Sequence, residues 1–224
     1  KALSIGFIGE LNRNLLYLFI EVKLCTFFTL NLINLVKRSW KVQLITFSNG
    51  NLVDYTRHIT VVGNKMFFEA EKTPYGRELW VYDDNGIHMV RDINPDGHGN
   101  LSGGFFTGFK NKLVFSAGVT STGVELWVSD GTESGTKIIK DIWPGIMGSG
   151  VVSPVIIGDT LYFSANDGTD GEIWRLLSPD GQPEKFTNVA NGGAWGPEFR
   201  RINKTFVFNG AIPSTGDELW KMTL

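Results

Sequence analysis

The sequence has few of the residues on which disulfide-bonded, zinc-binding and nucleic-acid-binding proteins depend. A single cysteine, Cys25, excludes a disulfide within the chain. The three histidines, His58, His88 and His98, are too scattered to predict a zinc site. Lysine and arginine number 21 against 23 aspartates and glutamates, so no basic excess indicates a nucleic-acid partner.

Two common catalytic motifs are also missing from the sequence. No phosphate-binding glycine loop followed by lysine occurs. Ser149, in "MGSGV", lacks the G-x-S-x-G spacing of a nucleophile elbow. The sequence therefore has no motif that supports an enzyme with a phosphate-binding loop or one with a nucleophile elbow.

Residues 1–40 are apolar, have little turn chemistry, and are predicted to form an extension separate from the rest. The run 24–36 is thirteen residues long, which suits a signal-peptide core and is short of the roughly 20 residues of a membrane span. In "ELNRNLLYLFIEV", Leu11, Leu15 and Val22 would share one face of a helix. An amphipathic helix and a targeting segment are both open interpretations.

Residues 41–224 repeat one phrase four times. Glu-Leu-Trp or Glu-Ile-Trp recurs with its tryptophan at 80, 127, 174 and 220, so consecutive copies lie 47, 47 and 46 residues apart. A second phrase keeps the same period, as "NKMFFEA", "NKLVFSA", "DTLYFSA" and "KTFVFNG". A period of this length is typical of propellers, solenoids and other arrays.

Each repeat is predicted to contain four short strands. In the second repeat they are predicted at 104–109, 112–117, 125–130 and 136–142. Short links such as Lys110 and Asn111 make neighbouring strands antiparallel. The inner strands are continuous apolar runs, so both of their faces need cover, and a similar sheet on each side supplies it.

The predicted fold is therefore all-β, a β-propeller-like array of four four-stranded antiparallel blades. The leucine and the tryptophan of each Glu-Leu-Trp are expected to point into opposite layers between blades. The fourth repeat lacks its last strand, and "QLITF", 43–47, falls at the array position of such a strand. Residues 41–224 span 184 positions, four repeats of 46, which favours a ring closed by pairing of the N- and C-terminal strands. A fragment of a longer array is the other arrangement that fits.

The stretch "ELWVSDGTESGTKIIKDIWPG", 125–145, resembles the consensus of the ELWxxDGT repeat family, often labelled hyalin-like in bacterial genomes. The resemblance covers about residues 43–224 and is strongest at 111–145. It implies a secreted or cell-surface bacterial protein whose propeller-like repeats carry no catalytic residues. The first repeat departs from the consensus by a shorter turn, and the third replaces Asp-Gly-Thr.

Residues that recur in every repeat are predicted to serve the architecture. Glu78, Glu125, Glu172 and Glu218 are interpreted as acceptors for backbone donors in a turn, and not as catalytic acids. Asp130 of Asp-Gly-Thr is interpreted as a turn residue whose carboxylate bonds the backbone two residues on.

Residues that break the repeat are better candidates for a binding site. Trp143 replaces a polar residue in "DIWPG", Trp195 lies in "NGGAWGPEF", and His98 lies in the loop 92–100. Aromatic side chains on loops stack on sugars or anchor protein partners, although they also fill space in a core.

The loop "DINPDGHGN", 92–100, has two interpretations, a calcium site and an ordinary turn. Asp92, Asn94 and Asp96 occupy alternate positions before Gly97, as in the first half of a calcium loop. Position twelve is Gly103, where such a loop has a bidentate glutamate. Calcium is the one cofactor that the sequence suggests.

These patterns predict a noncatalytic binding or structural module of a secreted or cell-surface protein. Its expected ligand is a glycan or a surface protein, with no nucleic-acid partner and no membrane contact of the repeat domain. The alternatives are a glycoside-acting propeller enzyme, hydrolase or lyase, with carboxylates gathered off the repeat positions, and a fragment that does not fold alone.

Overall fold

The structure of the protein is a computed structural model, which divides into two compact units, Lys1–Leu44 and Ile45–Leu224. It describes residues 5–7, 18–20, 45–46, 54–99, 101, 105–188, 199–203, 205–212, 214 and 216–223. No helix in these ranges has the length and the apolar character that crossing a bilayer requires.

In the first unit, β1 (Ile5–Phe7) pairs with β2 (Leu18–Ile20) in antiparallel register. The second of these strands falls within the segment for which an amphipathic helix is one interpretation, so that interpretation is wrong for Leu18–Ile20. Short apolar runs rich in Leu, Phe and Ile suit a strand as well as a helix, and their periodicity does not separate the two. The run 24–36 lies outside the described residues, and the targeting segment stays a prediction.

The second unit contains one antiparallel sheet for each repeat, and each sheet is a meander in chain order. Blade 1 consists of β3 (Asp54–Val62), β4 (Lys65–Lys72), β5 (Gly76–Asp83) and β6 (Gly86–Arg91). Blade 2 consists of β7 (Phe106–Phe109), β8 (Lys112–Val119), β9 (Gly123–Ser129) and β10 (Lys137–Lys140). Blade 3 consists of β11 (Val152–Ile157), β12 (Thr160–Asn166), β13 (Gly171–Leu176) and β14 (Glu184–Lys185). Blade 4 consists of β15 (Phe199–Ile202), β16 (Thr205–Ile212) and β17 (Gly216–Thr223). The all-β, propeller-like prediction is confirmed.

The links within blade 2 show why these residues form turns. Lys110 and Asn111 have φ angles of 46° and 64°, the left-handed conformation that a two-residue link between twisted strands needs. In the Asp-Gly-Thr turn, the backbone N–H and the hydroxyl of Thr132 both donate to Oδ1 of Asp130, at 2.9 and 2.7 Å. Gly131 has a φ of 91°, which favours glycine. The prediction for Asp130 is confirmed.

The blades pack face to face in chain order. The first strands of successive blades contact each other, β3 with β7, β7 with β11, and β11 with β15. Between blades 1 and 2, the buried layer contains Phe67, Leu79, Val81, Leu113, Phe115 and Trp127. Between blades 2 and 3, it contains Val114, Leu126, Val128, Leu161, Phe163 and Trp174. Each inner sheet is therefore covered on both faces, as its continuous apolar sequence predicts.

The Glu-Leu-Trp phrase supplies one residue to each of the two layers that flank a blade. Trp127 packs in the layer that blade 2 shares with blade 1, and Leu126 packs in the layer shared with blade 3. Consecutive strand residues point to opposite faces, so one tripeptide joins three blades. The predicted opposite orientation of leucine and tryptophan is confirmed.

The fourth sheet is described with three strands, β15, β16 and β17, where four are predicted. Of the predicted closing segment 43–47, the structure describes Ile45 and Thr46, and Thr46 forms a single β-bridge without extending into a strand. Closure of the ring is therefore not seen. In keeping with this, Leu219, at the repeat position of Leu126, is 75% exposed, whereas Leu126 is fully buried.

Candidate functional site

The loop from blade 1 to blade 2 and the loop from blade 2 to blade 3 lie at one end of the sheets, and the described residues of each are bonded to both of its blades. The N–H of Gly99 donates to the carbonyl of Arg77 in blade 1, and the carbonyl of Gly99 accepts from Gly118 in blade 2, both at 2.9 Å. Ser149 makes the equivalent bonds in the following loop, to Val124 and Asn166, at 3.0 and 2.9 Å. One loop residue thus connects two sheets through its own peptide groups.

The repeat glutamate holds each described loop against its blade. Glu125 is fully buried, and its carboxylate accepts hydrogen bonds from the N–H groups of Ile142 and Trp143, at 3.0 and 3.2 Å. It also accepts one from the hydroxyl of Ser149 at 2.6 Å. The carboxylate therefore satisfies the donors of a loop that has no sheet partner at this point.

The glutamate at the same position in the first and third repeats also accepts a hydrogen bond from the loop that follows its blade. Oε2 of Glu78 accepts from the N–H of Ile93 at 2.9 Å, and Glu172 accepts from the hydroxyl of Thr187. Both glutamates are fully buried, whereas Glu218 in the fourth blade is exposed. The predicted role of the repeat glutamate as an acceptor for backbone donors is confirmed for Glu78 and Glu125, whereas the hydrogen bond described for Glu172 comes from a side-chain hydroxyl.

Burial changes the pKa of two repeat glutamates, Glu78 and Glu125. Burial raises the pKa of Glu78 from 4.5 to about 7, against the opposing effect of the Ile93 and Asn94 N–H groups, and the nearby Asp92 carboxylate raises it further. Burial also raises the pKa of Glu125, against the hydrogen bond from Ser149. Glu78 therefore changes charge near neutral pH. The same side chain also holds the loop through its hydrogen bond from Ile93.

The raised pKa of Glu78 predicts that its stabilising contribution is fully present below pH 4.5 and is lost as the pH rises through about 7. The folded state binds the proton more tightly than the unfolded state does, so a higher pH favours unfolding. At 1.36 kcal/mol per pH unit, the whole effect is on the order of 3 kcal/mol. We expect the free energy of unfolding of the native chain to fall over this range relative to Glu78→Gln, as measured by urea unfolding from pH 4.5 to 8.

Glu218→Gln is the matched control for this measurement, because Glu218 has the same repeat position and is exposed. Its unfolding free energy should follow that of the native chain at every pH. Parallel curves for the native chain and Glu78→Gln would contradict the prediction.

Two of the candidate binding residues, His98 and Trp143, lie in successive loops at this end of the blades, and each contacts a different blade. Trp143 is half-buried, with its indole against Gly168, where an added Cβ would lie 2.7 Å from Nε1 of Trp143. Nδ1 of His98 accepts from the N–H of Arg77 at 2.9 Å. Trp195 lies outside the described residues. Their role in binding stays a prediction.

The residues of the candidate calcium loop are used in contacts that fix the loop. The amide nitrogen of Asn94 donates to the carbonyl of His98 at 2.8 Å, and its oxygen accepts from the hydroxyl of Thr120 at 3.4 Å. Asp92 lies beside Glu78 with Oδ1 buried, and Asp96 is exposed. In the ranges that the structure describes, no three His, Cys, Asp or Glu side chains are grouped as a metal site would need. The calcium site stays a prediction.

The sequence did not indicate a cluster in blade 1 formed by Tyr55, Arg57 and Arg77. The guanidinium carbons of Arg57 and Arg77 lie 4.3 and 5.1 Å from the centroid of the Tyr55 ring. The one feature of the sequence that could have indicated this cluster is that no other repeat has a tyrosine and two arginines at the same positions. The structure also exposes two apolar loop residues that the sequence did not indicate, Ile146 at 75% and Met147 at 69%.

The architecture defines a β-propeller-like repeat protein. No protein-family model and no curated protein matches the chain. Among solved structures it is similar to the β-propeller domain of the Trilobed protease from Pyrococcus furiosus, which has an open velcro topology, with 11% identity and a TM-score of 0.47 over 79% of this chain and 57% of that one. It is also similar to the acylaminoacyl peptidase of Pyrococcus horikoshii, with 10% identity and a TM-score of 0.46 over 80% of this chain and 29% of that one.

TolB from Acinetobacter baumannii is a third similar structure, with 13% identity and a TM-score of 0.41 over 71% of this chain and 38% of that one. The chain spans 57% or less of the length of each of these three proteins. At this identity the similarities concern the fold and give no ligand or reaction for this chain.

Proposed function

We propose that the repeat domain is a noncatalytic binding module of a secreted or cell-surface protein of the ELWxxDGT repeat family, with a glycan or a surface protein as its ligand. The observation that carries the proposal is the ordered loop end of the blades with its exposed apolar side chains, and the repeat glutamates add no catalytic group to it. A catalytic acid or base must reach the substrate, whereas Glu78 and Glu125 are fully buried and bonded to their own loops.

The loop end of the blades supports binding there. The loop after blade 2 exposes Ile146 and Met147 beside the half-buried Trp143. Exposed apolar side chains on loops that are held by a rigid scaffold are typical of recognition surfaces. The loop itself is held by Glu125 and by the backbone bonds of Ser149, so a ligand would meet an ordered surface.

A glycan array probed with the full chain tests this function. We expect saturable binding to one chemical class of glycan, with the bound glycan recovered intact by mass spectrometry. The double variant Ile146→Ser/Met147→Ser should weaken binding at least fivefold. Leu177→Ser is the matched control, since Leu177 is exposed in the turn after β13, at the opposite end of the blades.

Two results would contradict the proposal. Release of shortened sugars would show a glycoside-acting enzyme, which is the alternative prediction. Equal binding by the native chain, the double variant and Leu177→Ser would show that the loop end does not contact the ligand.

A further inference from the structure

In blade 1, the side chains of Arg57 and Arg77 both lie close to the ring of Tyr55. Tyr55 lies at the start of β3 and Arg77 at the start of β5, so the two strands meet across β4 at this end of the sheet. The guanidinium carbon of Arg57 is 4.3 Å from the Tyr55 ring centroid, and that of Arg77 is 5.1 Å from it. Nη1 of Arg77 also donates to the Tyr55 hydroxyl oxygen at 3.1 Å.

Neither guanidinium group is neutralised by a carboxylate whose position the structure describes. Glu71 faces Arg77 across the β4–β5 pair, yet no ion pair within 4.0 Å joins them. Other cations of the chain do have such partners, for example Arg175, which pairs with Glu184 at 2.8 Å. Two like charges near one ring repel each other, so an anion bound close to both of them would be favoured.

The backbone of β3 is irregular where it presents this ring. The register with β4 shifts between Asp54 and Arg57 and again between Arg57 and Thr60. Tyr55 and His58 have φ angles of 54°, the left-handed region that bulky residues rarely adopt. Bulges of this kind re-aim side chains, and strained residues are frequent at binding sites.

For one of the two strained residues, His58, the described part of the chain shows a packing contact with the next blade. The His58 ring stacks on Phe106 of blade 2 with centroids 5.3 Å apart, so its conformation serves the contact between blades. The Tyr55 ring is 37% exposed, and the contacts that the structure describes for it are with the two arginines. This conformation places the Tyr55 ring against both guanidinium groups at the surface.

We propose that Tyr55, Arg57 and Arg77 bind the carboxylate of an acidic sugar within a glycan, an inference that rests on the proposed binding function. A guanidinium group offers paired N–H donors that match a carboxylate. The Tyr55 oxygen accepts from Arg77, which leaves its own proton for an oxygen of the ligand. A uronic acid carries a carboxylate beside ring hydroxyls, and this combination distinguishes it from an acidic peptide.

The position of the cluster agrees with the loop end of the blades as the binding surface. The N–H of Arg77 donates to His98 of the loop between blades 1 and 2, which places the arginine beside that loop. The acidic-sugar site and the exposed side chains of the following loop therefore lie at the same end of their blades.

Titration calorimetry of the full chain with a tetragalacturonate and with a neutral galactose tetrasaccharide tests this site. We expect the native chain to prefer the acidic sugar at least tenfold at 50 mM NaCl, with a smaller preference at 300 mM, because salt screens the contact. Arg57→Gln/Arg77→Gln should lose this preference, and Tyr55→Phe should reduce affinity about fivefold. Lys137→Gln/Lys221→Gln removes the same charge from exposed positions and should leave the preference unchanged.

The remaining outcomes separate this inference from the proposed function. No preference for the acidic sugar in the native chain, or an unchanged preference in the arginine double variant, would overturn the site. Equal affinity for a polyglutamate peptide would overturn the sugar assignment. Continued binding of glycans on the array in either case would leave the proposed function standing, whereas silence of the whole array would overturn the acidic-sugar site and leave a surface protein as the ligand of the binding module.

Discussion

Replacing Leu126 with alanine is expected to lower the free energy of unfolding by about 2–5 kcal/mol, whereas Leu219→Ala should change it by less than about 0.5 kcal/mol. The two leucines have the same place in the repeat. Leu126 is fully buried between blades 2 and 3, and its loss would leave a cavity there, while Leu219 is 75% exposed. Guanidinium unfolding followed by tryptophan fluorescence measures both values.

This pair of variants also tests ring closure, since the removed side chain is identical in each. A further blade packed on the fourth sheet would bury Leu219 as Leu126 is buried. Equal losses for the two variants would therefore show that Leu219 is buried in solution and would favour a closed ring or a longer array. A small loss for Leu219→Ala alone is the outcome that the structure predicts.

The strands of the middle blades could be predicted from the sequence because their signals are local and repeated. The run 113–115, "LVF", is continuously apolar, and the positions of Lys110 and Asn111 define a two-residue turn before the strand. The structure has β8 at Lys112–Val119, directly after that turn. The role of the repeat glutamates could be predicted for a related reason, since a residue needed in every blade serves the fold.

Other features could not be predicted because they depend on contacts between distant segments. Leu18–Ile20 pairs with Ile5–Phe7, and nothing in a short apolar run shows which conformation its partner will impose. The cluster of Tyr55, Arg57 and Arg77 needs the two register shifts of β3 and the meeting of β3 with β5 across β4. A bulge has no fixed sequence signature, so these side chains read as ordinary surface residues.

Replacing Glu125 with alanine should lower the free energy of unfolding by about 3–5 kcal/mol, since a buried donor left without a partner costs about 1–3 kcal/mol. Three donors lose their acceptor, namely the N–H groups of Ile142 and Trp143 and the hydroxyl of Ser149. The total stays below the sum of three penalties, because the variant also removes a carboxylate whose burial is costly. Urea unfolding at pH 7 measures the loss.

Glu218→Ala is the matched control, with the same repeat position, the same change of charge and an exposed side chain. We expect it to change the free energy of unfolding by less than about 0.5 kcal/mol. Hydrogen exchange gives a second, local measurement: the Ile142 and Trp143 amides should lose protection in Glu125→Ala and keep it in Glu218→Ala. Similar stability and similar protection in the two variants would mean that the blade-to-blade loop is held by its backbone bonds to Val124 and Asn166, and that the glutamate adds little.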